Sequence, residues 1–264
     1  QNPMNQNKFA YFGTPYVAKN TLATLVEGGF TPTVVITNPD APKGRGHVLT
    51  PSETKTWALA HSLPVITPET LDADVIKEIK AYGCEYAIVV AYGKIFPQEL
   101  IDAFPKGAIN VHYSLLPKYR GASPVESALL NGETVTGVTL QKMARAMDAG
   151  AILQQQEVAI EPNETTRELR PRLVAIGAAL LKNVLPAFLK DELTLKAQDD
   201  AQATRARKIR KEEGQLDLSA SPEENWRKYR AYAESPGTYF FQEGKRMKIT
   251  KARFENGAFL VERV

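Results

Sequence analysis

An amide and an imidazole stand two residues apart in the apolar stretch "GAINVHYS". Asn110 and His112 are separated by Val111, and the apolar residues around them predict a buried β-strand. Side chains two positions apart on a strand point to the same face, so the two polar groups are expected side by side. Such a pair could hold a developing negative charge, with the amide as a fixed donor and a protonated imidazole as a charged one. A core histidine with satisfied hydrogen bonds is the alternative interpretation of this pair taken alone.

A carboxylate is the third candidate for chemistry. Asp148 lies in "MDAG", an irregular stretch between two predicted strands, and is followed closely by Gly150. A carboxylate beside His112 could fix the tautomer of the imidazole and support its charged form. An ordinary turn residue is the other interpretation, because Asp is common in turns.

The elements that must position these groups alternate between strand and helix. Several strands, such as "YAIVVAYG", are apolar on both faces, which is typical of a parallel sheet covered on both sides. The predicted fold class is therefore α/β, a Rossmann-like, mostly parallel sheet with helices on both faces. In such a sheet ligands bind outside the carboxyl ends of the strands, where Asn110 and His112 are expected.

Composition changes near residue 190 and predicts three segments. Residues 8–190 form the main α/β domain, a polar and charge-dense stretch at 191–214 is a linker, and 215–264 form a small β-rich domain. From Arg205 to the end there are 14 Lys and Arg against 9 Asp and Glu, a net of +5, whereas the rest carries −2. The basic tail permits a polyanionic partner, although a solvated basic face is the plainer interpretation.

Composition also excludes several classes of site. Cys84 is the single cysteine among 264 residues, which excludes an intramolecular disulfide and a cysteine-based zinc site and favours a reducing compartment. The first strand is followed by Gly13 alone, without the further glycines of a dinucleotide-binding turn. No apolar run is expected to reach the roughly 18 to 20 residues of a membrane span.

Two motifs in the expected order carry a resemblance to a known family. "NVHYSLLPKYRGASP", followed about thirty residues later by "MDAGAIL", resembles the formyltransferases that use 10-formyltetrahydrofolate. The resemblance implies the formyltransferase fold, a catalytic set of Asn110, His112 and Asp148, no metal ion, and 10-formyltetrahydrofolate as the formyl donor. It also implies a folate pocket, formed by "VVAYGKIFP" and by the loop after the histidine. The implied pocket residues are Val90, Ala91, Tyr92, Gly93, Ile95, Ser114, Leu115, Leu116 and Pro117.

Within this family, "FGTP" and "KYRGASP" resemble the methionyl-tRNA formyltransferases. The stretch "NPDAPKGRGHVLTPSETK" is similar to the basic loop with which those enzymes approach the acceptor end of tRNA. The implied tRNA-binding residues are Lys43, Arg45, His47 and Lys55. The implied partner is initiator methionyl-tRNA, and the implied protein is a cytoplasmic monomer that does not engage a membrane.

One departure from the pattern concerns the C-terminal region. Only 50 residues follow from Gln215 onward, too few for the full oligonucleotide-binding-type barrel that the resemblance implies, so an incomplete barrel is expected. Three other functions remain open: formyl transfer to a sugar-nucleotide amine, hydrolysis that releases formate, and a non-catalytic folate- or RNA-binding module.

Overall fold

The computed structural model describes residues 7–44 and 46–264, so Arg45 of the predicted basic loop lies outside the described residues. The chain divides into two compact units. The first contains the described residues as far as His112, together with residues 138–156 and 174–200. The second contains residues 113–137, 157–173 and 201–264. The division predicted from composition, at residues 190 and 214, stays a prediction.

Strands and helices alternate along the first part of the chain, as the sequence pattern predicts. The strands are β1 Phe9–Gly13, β2 Val34–Ile36, β3 Ala41–Lys43, β4 Val48–Thr50, β5 Val65–Ile66, β6 Tyr86–Val90, β7 Gly107–His112, β8 Arg120–Gly121, β9 Val135–Lys142, β10 Ile152–Ala159, β11 Arg205–Ala206, β12 Thr238–Gln242, β13 Lys245–Ile249, β14 Lys251–Glu255 and β15 Ala258–Arg263. The helices are α1 Tyr16–Glu27, α2 Glu53–Ala60, α3 Ala73–Ala81, α4 Gln98–Asp102, α5 Pro124–Leu130, α6 Thr166–Leu189 and α7 Pro222–Ala231. Short 3₁₀ turns lie at Asp200–Gln202 and Lys211–Gly214.

A seven-stranded sheet organises the fold, in the order β10-β9-β7-β6-β1-β2-β5. The pairs β1/β2, β1/β6, β2/β5 and β6/β7 are parallel, whereas β9 runs antiparallel to β7. The predicted α/β class with a mostly parallel sheet is confirmed. Strand order reverses beside β1, and such a reversal opens a crevice at the carboxyl ends of β1 and β6.

Burial on both faces explains why the central strands are apolar without interruption. Every residue of β1 and β6 is buried. Phe12 of β1 packs edge-on against Tyr92, Phe96 and Phe104, an arrangement that aromatic rings favour. The strand ends that face the crevice therefore rest on a closely packed core.

Two helices begin at residues whose side chains cap the first turn. The side chain of Asp72 accepts a hydrogen bond from the Val75 N–H (3.1 Å) at the start of α3. Ser221 accepts one from the Glu224 N–H (3.3 Å) at the start of α7, where Pro222 fills the first turn. Each cap satisfies a backbone donor that the helix leaves without an internal partner.

The stretch at 39–53 was expected to be an irregular loop, and that expectation is wrong for its middle part. Strands β3 and β4 form an antiparallel hairpin that pairs Ala41 with Thr50 and Lys43 with Val48. The turn begins at Gly44, whose φ of +71° suits a glycine. The apolar and β-branched residues of "VLT" favour a strand that the surrounding charged and glycine residues mask in the sequence.

The C-terminal residues form the small β-rich region that the sequence predicts. Strands β12 and β13 form one antiparallel pair, and β14 and β15 form another. Trp226 of α7 stacks against Tyr229 and Phe254, with ring centroids 5.5 and 6.2 Å apart. These rings give β14 and β15 an apolar support on α7.

Helix α6 differs from the expectation that no segment is long enough to span a membrane. Its 24 residues include an 18-residue window with a mean hydropathy of 1.6, enough by length and composition alone. Leu169, Leu173, Leu181 and Leu185 along one side of the helix are fully buried. A buried core helix meets the same criterion of length and composition.

A charged cluster orders the stretch around residue 210, which belongs to the second unit. Both carboxylate oxygens of Glu213 accept hydrogen bonds from Arg207, at 2.8 and 2.7 Å, and the Arg210 N–H donates a third at 2.8 Å. The bonds from Arg207 lower the pKa of Glu213 to about 2. Just beyond, a Cβ on Gly214 would overlap the carbonyl oxygen of Gly237, so the turn lies directly against that backbone.

We predict that Glu213→Gln lowers the free energy of unfolding by about 1 to 2 kcal/mol at pH 7, because it removes the bidentate ion pair with Arg207. The pKa of Glu213 is lower in the folded state, so its contribution is complete above the unfolded value and is lost as pH falls toward about 2. Urea unfolding between pH 7 and 2 should therefore show the difference from wild type shrinking on acidification. Glu212→Gln, an exposed neighbour, is the matched control; equal effects of the two changes would contradict the prediction.

Candidate functional site

Strand β7 presents Asn110 and His112 on one face at its carboxyl end. Asn110 lies between Val89 of β6 and Gln141 of β9, which are its partners in the strand register. His112 is 6% exposed and lies opposite Thr139. The amide is therefore held by hydrogen-bonded strands on both sides, and the imidazole lies beside β9.

Asp148 reaches this face from the connection between β9 and β10. Its Oδ1 lies 3.7 Å from Nδ1 of His112, and the two side chains are 15% and 7% exposed. The backbone of Asp148 has a φ of +54°, in the left-handed region that Asp tolerates better than most residues. The structure thus brings Asn110, His112 and Asp148 together in one cluster within the first unit.

Hydrogen bonds from outside the connection fix its course. The side-chain NH₂ of Gln198 donates to the carbonyl oxygens of Asp148 (2.9 Å) and Gly150 (2.8 Å). The N–H of Gly150 donates to Oε1 of Gln141 at 3.3 Å. A Cβ on Gly150 would overlap the carbonyl oxygen of Lys142, so only glycine fits where the connection closes on β9. The left-handed backbone of Asp148 is held by its surroundings on both sides.

Gln141 links the amide to the carboxylate. Its Nε2 donates to Oδ1 of Asp148 at 2.9 Å and to Oδ1 of Asn110 at 3.3 Å. Asn110 in turn donates from Nδ2 to the carbonyl oxygen of Val89 at 3.2 Å. Gln141 is 2% exposed. Its three hydrogen bonds are therefore made almost entirely away from water, where they hold geometry most firmly.

This arrangement suits the stabilisation of an oxyanion next to a proton relay. One N–H of Asn110 is committed to Val89, which leaves the other for a ligand oxygen. His112 can donate from its ring, and the Asp148 carboxylate beside Nδ1 can orient it. Together the three groups supply two donors and a proton acceptor within one cluster.

The predicted folate residues that follow β6 fall into two kinds. The side chains of Val90 and Tyr92 are buried, so these residues could offer a ligand only backbone groups. Burial raises the pKa of Tyr92 to about 12, which keeps its hydroxyl neutral. Ala91 and Gly93 have positive φ angles of 47° and 85°, and Ile95 is 79% exposed. The segment therefore bends at the carboxyl end of a central strand, with left-handed backbone at Ala91 and Gly93.

The remaining predicted folate residues follow His112 directly and belong to the second unit. Ser114 is fully buried and its hydroxyl donates to the carbonyl oxygen of Lys118 at 2.6 Å. Leu116 is 3% exposed, and the bond from Leu116 to Pro117 is cis. Leu115 is partly buried in the same turn. Their role in binding stays a prediction.

The predicted tRNA-binding cations occupy different elements. Lys43 lies on β3 and pairs with Glu53 at 3.1 Å, with both side chains largely exposed. His47 is exposed in the hairpin turn, with a φ of +47°. Lys55 lies on α2, outside the hairpin, and pairs with Asp40 at 2.7 Å. Two of the described cations thus already have acidic partners.

Sequence reasoning did not single out Gln141 or Gln198, the two amides that hold the cluster. Gln141 could have been noticed as a polar residue in the apolar strand "GVTLQK", opposite Asn110 once the strand register is known. Gln198 lies in a polar stretch where no feature of the sequence indicates a return to Asp148.

The sequence matches two protein families in succession. Residues 7–185 match the family described as formyl transferase, and residues 208–262 match its C-terminal domain. Methionyl-tRNA formyltransferase from Chloroflexus aggregans is 41% identical over 246 residues, which cover 93% of this chain and 80% of that protein. The enzyme of the same name from Bdellovibrio bacteriovorus is 41% identical over 252 residues, covering 94% of this chain and 79% of that protein.

The chain belongs to the methionyl-tRNA formyltransferase family. The resemblance inferred from "NVHYSLLPKYRGASP" and "MDAGAIL" is thereby confirmed, and with it the assignment as a formyltransferase enzyme.

Solved formyltransferases share the fold at lower identity. The N-formyltransferase from Helicobacter canadensis, in a complex with folinic acid and dTDP-3-aminofucose, superimposes with a TM-score of 0.72 at 21% identity. The match covers 95% of this chain and 88% of that one. At this identity the comparison supports the formyltransferase fold and not a choice of substrate.

We predict that Gly150→Ala lowers the free energy of unfolding by about 1 to 3 kcal/mol, because the new methyl group forces the connection away from Lys142. Urea unfolding measures the change. Ala144→Ser, at an exposed position of the same connection, should alter stability by less than about 0.5 kcal/mol. A Gly150→Ala protein as stable as wild type would show that the close contact at Lys142 is absent in solution.

Proposed function

We propose that this protein transfers the formyl group of 10-formyltetrahydrofolate to the α-amine of methionyl-tRNA, with Asn110, His112 and Asp148 as the catalytic residues. The observation that carries the proposal is the grouping of these three side chains in a chain 41% identical to named methionyl-tRNA formyltransferases. Membership of the family supports a folate-type formyl donor. That the donor is 10-formyltetrahydrofolate and that the acceptor is the initiator tRNA are the more specific parts of the proposal.

The reaction begins with attack of the unprotonated amine on the formyl carbon. The new C–N bond produces a tetrahedral centre with a negatively charged oxygen. The free N–H of Asn110 and the ring N–H of His112 donate hydrogen bonds to that oxygen as its charge develops. The bond from the formyl carbon to N10 of the folate then breaks, which leaves formylmethionyl-tRNA and tetrahydrofolate.

One proton must move for this exchange to balance. The attacking nitrogen loses a proton, and N10 of the folate gains one. Asp148, next to Nδ1 of His112, can accept the proton from the amine directly or through water, and the imidazole can deliver one to N10. Transfer of the accepted proton from the Asp148 carboxyl to the imidazole, directly or through water, then returns the pair to its starting protonation state.

The folate donor is proposed to occupy the carboxyl ends of β6 and β7. Support comes from the left-handed backbone at Ala91 and Gly93 and from the position of these strands beside the reversal of strand order. The tRNA is proposed to contact the basic stretch at 38–55, and its cations would then bind backbone phosphates. A cytoplasmic, monomeric state is part of the same proposal; the tRNA acceptor implied by the names of the relatives supports the cytoplasmic location.

We predict that Asn110→Ala lowers kcat by about 10²- to 10³-fold, the typical effect of losing one oxyanion donor. His112→Ala and Asp148→Ala should cost at least as much, because each removes part of the proton relay as well. The measurement is formylation of methionyl-tRNA at saturating donor, followed by mass spectrometry of the products. His61→Ala, an exposed histidine on the end of α2, is the matched control.

Mass spectrometry also separates the alternatives. Release of formate without formylmethionyl-tRNA would indicate a hydrolase, and formylation of an amino sugar nucleotide in preference to tRNA would indicate another acceptor. Near-normal turnover by His112→Ala would contradict the proposed mechanism.

For the basic stretch, we predict that Arg45→Ala raises the Michaelis constant for tRNA and leaves that for the folate unchanged. A lost phosphate contact should also make the plot of log tRNA affinity against log salt concentration less steep, by a slope of roughly one. Lys77→Ala removes the same charge from the exposed face of α3 and serves as the control. Identical salt slopes for Arg45→Ala and wild type would rule out a phosphate contact at this residue.

A further inference from the structure

Gln141 is a buried amide that faces the proposed catalytic residues from the neighbouring strand. The antiparallel register places it directly opposite Asn110, so both side chains point to the same face of the sheet. It is 2% exposed and makes three hydrogen bonds, to Asn110, Asp148 and Gly150. Its partners lie on both sides of the cluster, so Gln141 connects the Asn110 amide to the Asp148 carboxylate.

The chemistry of the partners determines which way the Gln141 amide points. The backbone N–H of Gly150 can only donate, so the group facing it must be the Gln141 oxygen. The carboxylate of Asp148, when ionised, can only accept, so the group facing it must be the NH₂. Both statements agree, and together they exclude the flipped amide.

The same reasoning fixes Asn110. Its Oδ1 faces the second N–H of Gln141, and its NH₂ faces the carbonyl oxygen of Val89, which can only accept. The Asn110 oxygen and one of its N–H groups are both hydrogen-bonded in this way. The direction of the second N–H is therefore fixed as well. An oxyanion is stabilised by that N–H and would be repelled by the amide oxygen. The orientation of the Asn110 amide therefore determines whether Asn110 stabilises or destabilises the oxyanion.

Gln141 also contacts both parts of the connection that carries Asp148. Nε2 binds the Asp148 carboxylate, and Oε1 binds the backbone two residues later at Gly150. Asp148 has a left-handed φ of +54°, which costs free energy unless surrounding contacts hold it. Loss of the two contacts would allow the carboxylate to move away from Nδ1 of His112.

We propose that Gln141 is a positioning residue for formyl transfer: it directs the free N–H of Asn110 toward the oxyanion and holds Asp148 beside His112. The inference rests on the proposed function and adds a residue to it. Gln141 acts through its neighbours, so it should govern turnover and leave substrate binding nearly unchanged.

Two substitutions of similar size separate positioning from packing. Gln141→Glu replaces the NH₂ by an acceptor, which turns the Asn110 amide around and repels Asp148. We expect kcat to fall by about 10²-fold or more, as for a lost oxyanion donor. Gln141→Met removes the hydrogen bonds without reversing them, and a drop of about 10- to 30-fold is expected from misplacement alone. The Michaelis constants for donor and tRNA should stay within about twofold of wild type in both variants.

Gln154→Glu is the matched control, because it introduces the same charge at an exposed position of β10. Its kcat should equal that of wild type. A purely structural role for Gln141 predicts instead that activity follows thermal stability and that Gln141→Glu, the closest in shape, is no worse than Gln141→Met. That outcome would overturn the proposal.

A double-mutant cycle keeps the test valid if Gln141→Glu fails to fold. Gln141→Met should lower kcat by clearly less in the Asn110→Ala background, about 5-fold at most, because its effect through Asn110 is already lost. Equal fold losses in the two backgrounds would show that Gln141 does not act through Asn110. Single-turnover formylation makes the low rates measurable.

The same experiment distinguishes failure of this inference from failure of the proposed function. If Asn110→Ala itself keeps wild-type turnover, the proposed catalytic set is wrong. If Asn110→Ala loses activity while both Gln141 variants keep wild-type kcat, only the positioning role is wrong.

Discussion

The antiparallel pairing of β9 against β7 is the constraint on which the rest of the site depends. It places Gln141 opposite Asn110 and Thr139 opposite His112 in a sheet that is otherwise parallel where the register is described. Because side chains alternate along a strand, a register shift of one residue would turn Gln141 away from the amide it holds. The connection to β10 would then close elsewhere, and Asp148 would leave the cluster. One set of strand hydrogen bonds thus fixes the geometry of all three proposed catalytic groups.

The parallel part of the sheet supplies rigidity, and the connection supplies the carboxylate of the proposed catalytic set. Strands β1 and β6 are buried on both faces, so their carboxyl ends cannot move without disturbing the core. Asp148 sits instead on irregular backbone with a positive φ, where it depends on hydrogen bonds from Gln198 and Gln141. A strained backbone held by its surroundings is common at functional sites, because it presents a side chain that regular structure would not.

Much of this architecture could be predicted from local patterns in the sequence. The two-residue period predicted that Asn110 and His112 share a face, and strands apolar on both faces predicted the mostly parallel sheet. What could not be predicted depends on pairing between distant segments. The direction and register of β9, which reveal Gln141, follow from tertiary contacts rather than from local preference. Gln198 returns to Asp148 across fifty residues without a sequence signal. The hairpin of β3 and β4 was hidden by glycines and charges, because its strands are only three residues long.

The close contact between Gly150 and Lys142 divides the connection after β9 into two parts. The base is the part where Gly150 meets β9, and the tip is residues 144–147. Gln141 and Gly150 are hydrogen-bonded to each other at the base, whereas residues 144–147 between them are exposed. The tip adds a backbone hydrogen bond from the Ala149 N–H to the carbonyl oxygen of Ala146 at 3.3 Å, so side-chain substitutions at 144–147 should leave the carboxylate in place. The same separation makes the tip a suitable attachment point for a spectroscopic label that reports on the cluster from a few residues away.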